Sequence, residues 1–139
     1  MFFEIKHVDW ASKFEILFKT MKKSNRREIR EKVLQVLYAY EFNGEGLTVL
    51  TNGILADVSA ESDILFAKQL INRVVANRKE LDDQIRTRVE NWEMERIALI
   101  DRILLRIGMA EIFYFQEIPP KVSINEVIDI AKDYSTANS

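Results

Sequence analysis

Residues 25–44 read NRREIREKVLQVLYAYEFNG, and this run decides the fold class. Asn25, with Ser24 before it, is a good helix cap, because a short polar side chain accepts from the unpaired N–H groups of the first turn. Gly44 behind Asn43 is a stop signal, since glycine enters the left-handed conformation without steric cost. Between them Ile29, Val33, Val36, Leu37 and Tyr40 fall on one arc of about 100 degrees at 3.6 residues per turn, the core face of an amphipathic helix. Arg27, Arg30, Leu34 and Tyr38 lie along the stripe beside it, a flank expected to be partly exposed and within reach of a partner.

The same period runs outward from this helix. Gly46 to Val58 holds Leu47, Leu50 and Ile54 in helical register, weakened by Gly53. From Ser59 to Val89 the inward residues are Phe66, Leu70, Val74, Leu81, Ile85 and Val89. That span is too long for one ordinary helix, so a break is expected near Asn77. Met94 to Phe115 is apolar on nearly every side, the mark of a helix surrounded by others. Gly108 in its middle costs about 1 kcal/mol relative to alanine, which predicts a close helix crossing there. Pro119 and Pro120 end it. Ser123 and Glu126 then read as a capping box, with Val122 and Val127 as a hydrophobic staple, predicting a helix from Ile124 to about Lys132. Upstream, Met1 to Ile5 is apolar without period, and Asp9 can cap a short packing helix carrying Trp10, Phe14, Leu17, Phe18 and Met21.

Composition agrees with an all-α fold. The chain has 139 residues, 47% of them hydrophobic and 30% charged, with only four glycines and two prolines, which suits one domain of long helices joined by short turns. There is no cysteine, which excludes a disulfide framework, a thiolate metal site and a cysteine nucleophile. No apolar run reaches about 18 residues and no signal-peptide pattern opens the chain, so a soluble cytoplasmic protein without membrane contact is expected. His7, the one histidine, lies in the poorly patterned leader, and neither a phosphate-binding loop nor a Gly-x-Gly-x-x-Gly is present. The pairs Asp82-Asp83 and Glu93, Glu95 read as solvated helix faces rather than metal ligands. The expectation is a protein that is not an enzyme and uses no cofactor or metal.

Charge carries the functional signal. Lys19, Lys22, Lys23, Arg26, Arg27, Arg30 and Lys32 stand against Glu28 and Glu31, a local excess of five positive charges in a chain of net charge −2. The protein therefore has a basic end and an acidic body. Guanidinium groups fork onto phosphates and a nearby aromatic stacks on an unpaired base, so Arg26, Arg27, Arg30 and Tyr38 suit single-stranded RNA. The same charges suit a solvated helix end with i,i+4 pairs such as Arg27 with Glu31, and periodicity does not decide between the two.

At these residues a resemblance becomes specific. Arg26-Arg-Glu-Ile-Arg-Glu-Lys-Val-Leu-Gln-Val-Leu-Tyr38 resembles the arginine-rich first helix of the NusB family. Trp92, Arg96-Ile-Ala-Leu-Ile-Asp-Arg-Ile-Leu-Leu-Arg106, Ala110-Glu111, Ile118-Pro-Pro-Lys-Val-Ser-Ile-Asn-Glu126 and Ala131-Lys132 are similar to its central and penultimate helices. The similarity covers roughly Met21 to Ser139. It implies a helical bundle that binds the boxA element of single-stranded nascent RNA together with NusE, a small-subunit ribosomal protein, and joins an antitermination complex on RNA polymerase, chiefly at ribosomal RNA operons. Carried over by position, Arg26, Arg27 and Arg30 would contact phosphates and Gln35 a base. Lys121, Asn138 and Ser139 would continue the RNA surface, while Tyr38, Glu95 and Asp101 would face NusE.

Family members begin only a few residues before the arginines, so residues 1–20 are expected to be an extension ahead of an RNA-binding domain spanning 21–139. They also continue past the position of Ser139 with a last helix. The expectation is thus a NusB-like bundle of six to seven helices lacking that one, with an apolar flank uncovered. Two other readings stay open: the NusB-like amino-terminal domain of a ribosomal RNA cytosine methyltransferase, and a helical protein-protein adaptor that never touches RNA.

Overall fold

The computed structural model describes residues 25–88 and 97–138. The helix expected after Asp9 and the residues Val89, Trp92, Glu93 and Glu95 lie outside these. Among the described residues there are six helices and no strand: α1 Asn25–Asn43, α2 Leu47–Ile54, α3 Glu61–Ala76, α4 Arg78–Arg88, α5 Leu99–Tyr114 and α6 Pro120–Asn138. None of them is long and apolar enough to cross a membrane.

The first helix spans the residues its sequence predicts. Ile29, Val33, Val36 and Leu37 are buried, and Gly44 closes the helix at φ 70° with its N–H on the Tyr40 carbonyl at 2.8 Å. The flank beside them is deeper than expected. Leu34 is 1% exposed and Arg30 2%, whereas the period alone placed them at a partly open edge. The reason is that α1 has neighbours on several sides, with α2, α3, α5 and α6 all packing against it. A stripe on one helix does not reveal how many partners will cover it.

The break at Asn77 occurs where it is expected. Both the backbone N–H and the Nδ2 of Asn77 donate to the Arg73 carbonyl, at 3.1 and 2.9 Å, ending α3 before α4 starts at Arg78. Leu81 and Ile85 are buried, and α4 packs against α5. In α5, a Cβ placed on Gly108 would lie 3.2 Å from Val127 Cγ2, so the missing side chain lets α5 and α6 cross closely. This helix touches α1, α3, α4 and α6.

Two local readings are corrected. The helix expected from a Ser123 cap begins instead at Pro120, and it runs on to Asn138. Proline's fixed φ and missing N–H suit the first helical position, and the Pro119 carbonyl already accepts from Val122 N–H at 2.9 Å. Ser123 is consequently inside the helix, fully buried, and donates its Oγ–H to Glu111 at 2.8 Å. Asp82, read as part of a solvated pair, instead accepts from buried Arg106 at 2.7 and 3.2 Å. Only Asp83 keeps the surface role, paired with Arg86.

Candidate nucleic-acid interface

The arginines of α1 occupy three different environments. Arg26 donates Nε–H to Asp63 Oδ1 at 3.0 Å, keeps 39% of its side chain exposed, and lays its guanidinium 4.2 Å from the centre of the Phe66 ring. Arg27 is reached from α6, where its Nε donates to Glu126 and its Nη2 to Asp129 at 2.9 Å. Burial works against the Arg27 charge, but the hydrogen bonds and charges of Glu126 and Asp129 outweigh it and raise the pKa, so the group stays cationic. Arg30 is the innermost. It donates Nε–H and Nη2–H to the two oxygens of Glu111, at 2.8 and 2.7 Å, and Glu111 is itself completely buried.

The expected phosphate contact from Arg30 does not fit this geometry. Its side chain is 3% exposed and its fork is matched to a carboxylate fork. With Ser123 also donating to Glu111, the group ties α1, α5 and α6 together at one buried point. Arg30 is therefore a structural anchor that fixes the turn bearing Arg26 and Arg27. The fold also answers the local excess of positive charge with carboxylates remote in sequence: Asp63, Glu111, Glu126 and Asp129. A strand binding at Arg27 must exchange a carboxylate for a phosphate.

The other expected site residues are spread more widely. Gln35 is exposed on α1, Lys121 is exposed in the first turn of α6, and Asn138 closes that helix. Tyr38 is 39% exposed and lies 11 residues beyond Arg27, nearly the same direction around the helix and about 16 Å along it. Asp101 is exposed in the first turn of α5, beside an apolar groove lined by Leu105, Val127 and Ile128. Glu95 and Ser139 lie outside the described residues.

Sequence reasoning missed two features. Phe42, one turn after Tyr38, is 68% exposed and meets it edge-on at 5.0 Å, making an aromatic ledge; its i,i+4 spacing was the available signal. Glu111 was the other. A carboxylate inside an apolar helix demands a buried cationic partner, and Arg30 supplies it from 81 positions away.

Residues 27–139 match the NusB family. The Transcription antitermination protein NusB of Chloroherpeton thalassium is 46% identical over 120 residues, a stretch that is 83% of this chain and 56% of that protein. The chain thus spans little more than half the length of this curated relative. The NusB structure of T. maritima superposes with a TM-score of 0.72 at 32% identity, covering 78% of each chain. A structure of antitermination factors NusB and NusE in complex with dsRNA shares the fold, with a TM-score of 0.69 at 23% identity over 78% of this chain and 82% of that one.

Proposed function

The chain belongs to the NusB family, and from that premise we propose that it is a non-enzymatic RNA-binding transcription antitermination factor. It takes up boxA-type single-stranded RNA together with NusE in the cytoplasm and joins the antitermination complex on RNA polymerase, chiefly at ribosomal RNA operons. The observation that carries this reading is the first turn of α1, where Arg26 and Arg27 sit side by side above a buried anchor. A structure of the same fold that holds NusB and NusE in complex with double-stranded RNA supports its partner classes, a NusE protein and RNA.

In this reading Arg26 and Arg27 bind phosphates, Gln35 reaches a base, and Lys121, Asn138 and Ser139 continue the surface. Tyr38, Glu95 and Asp101 face NusE, whose basic character as a ribosomal protein suits acidic partners. Phe42 joins Tyr38 as an aromatic anchor of the kind that dominates protein interfaces.

The carboxylate clamps on Arg27 and Arg30 favour a second reading, a protein-protein adaptor in which the basic turn is wholly structural. Titrating a labelled boxA-like RNA with the chain, in the presence and absence of NusE, separates the two. The proposed function expects measurable binding that tightens when NusE is added. An RNA that stays unbound in both conditions while NusE still associates identifies the adaptor.

A further inference from the structure

A polar groove of about 480 Å³ lies between α3 and the end of α5, lined by Gln69, Asn72, Arg73, Asn77, Tyr114 and Glu117. None of these groups takes part in the arginine site. The Arg73 guanidinium stands 4.7 Å from the centre of the Tyr114 ring, forming a flat cationic platform. Around it stand three amides and one carboxylate. Asn77 donates its amide nitrogen to the Arg73 carbonyl, which leaves its oxygen as an acceptor. Gln69 and Asn72 are exposed and make no bond to another side chain among the described residues.

This chemistry fits a nucleobase better than a phosphate. One cation and one anion give the groove no net charge, so it does not attract a phosphate. Side-chain amides present a donor and an acceptor at once, as the edge of an unpaired base does, and a guanidinium plane offers a stacking face. The volume falls within the roughly 300–1,000 Å³ typical of small-ligand pockets.

The groove is linked to the arginine site through the core, by two buried phenylalanines. Arg26 rests on Phe66, Phe66 meets Phe115 edge-on at 5.4 Å, and Phe115 borders the groove. On its other side Glu117 belongs to the connection leading into α6, where exposed Lys121 follows four residues later.

We propose that the Gln69, Asn72, Arg73 and Tyr114 groove is a base-reading subsite for one unpaired nucleotide of the RNA whose phosphates bind at the start of α1. The inference rests on the RNA-binding reading and assigns that surface a source of sequence preference.

The test measures the affinity of a boxA-like single-stranded RNA across a salt series for wild type, Gln69→Ala/Asn72→Ala and Arg73→Lys. Both amides are exposed, and lysine keeps the charge while losing the stacking plane. The expected result is roughly tenfold weaker binding for each variant at an unchanged salt slope, because the base is deprived of its partners while the phosphates keep theirs. A 4-thiouridine placed along the RNA is expected to crosslink to α3 or Tyr114. Wild-type affinity in the double variant overturns the subsite while leaving RNA binding at Arg26 and Arg27 standing. The subsite is equally overturned if the variants weaken only NusE, which makes the groove a protein contact. If wild type binds no RNA, the functional reading falls and takes the subsite with it.

Discussion

Arg26 and Arg30 stand one helical turn apart and face the same phenylalanine, 4.2 and 5.5 Å from the ring of Phe66, yet the fold uses them differently. Arg30 is sealed behind two bonds to a buried carboxylate, while Arg26 keeps one bond and a side chain 39% exposed. The contrast teaches that an arginine-rich motif is not one functional unit. A guanidinium matched to a carboxylate fork out of reach of water, as at Arg30, holds the scaffold, whereas Arg26, partly in solvent, and Arg27, whose partner Asp129 is half-exposed and open to exchange, are the ones the proposed strand would use.

The contrast is open to attack in order of expected effect. Glu111→Ala strips the buried Arg30 guanidinium of both its hydrogen bonds and leaves only Glu126, 3.9 Å from Nη1, facing its charge, and about 3 kcal/mol of stability is expected to disappear in urea unfolding. Replacing both partners, as Arg30→Met with Glu111→Leu, should recover most of that loss, since an apolar pair of similar size needs no desolvation of charge. A double variant as unstable as Glu111→Ala would break the account of Arg30 as a paired anchor.

Ser123→Ala comes next. It removes one donor from the buried carboxylate while Arg30 still holds it, so about 1 kcal/mol is expected from the same measurement. Arg26→Ala should cost less than about 1 kcal/mol, because its pair with Asp63 is partly solvated and screened. A loss at Arg26 as large as that at Glu111 would erase the distinction between the two turns.

The smallest effect is expected at Asp57, an exposed carboxylate remote from the buried anchor. A hydrogen bond from Lys32 at 2.9 Å holds its carboxyl below the ordinary range. A lowered folded-state value means the contribution is present above the unfolded value and fades as pH falls through the folded one. Wild type and Asp57→Asn should therefore differ slightly in melting temperature at neutral pH and converge on acidification. Convergence at high pH instead would reverse the assigned sign.

Much of the scaffold was legible in the sequence. The bounds of α1, the break at Asn77 and the close crossing at Gly108 all follow from local rules that the tertiary structure leaves in force. The misreadings share a cause in contacts between distant residues. Ser123 has the spacing of a cap, but Pro120 starts the helix earlier and frees the hydroxyl for Glu111. Arg30 has the spacing of a surface group, but Glu111 meets it across the bundle. Periodicity names the face of a helix, while the depth of each position depends on elements tens of residues away. For the same reason the motif nominates Arg26, Arg27 and Arg30 alike, and only carboxylates remote in sequence, which it does not reveal, set Arg30 apart.

The most direct test of the division between anchor and strand contact is the slope of log affinity against log salt for a boxA-like RNA. Removing Arg26 and Arg27 together should lower that slope by about 0.7 for each phosphate they no longer neutralise. Replacing the buried pair by Arg30→Met with Glu111→Leu should leave it at the wild-type value. A slope that ignores the removal of Arg26 and Arg27, or that falls with the buried pair, contradicts the division.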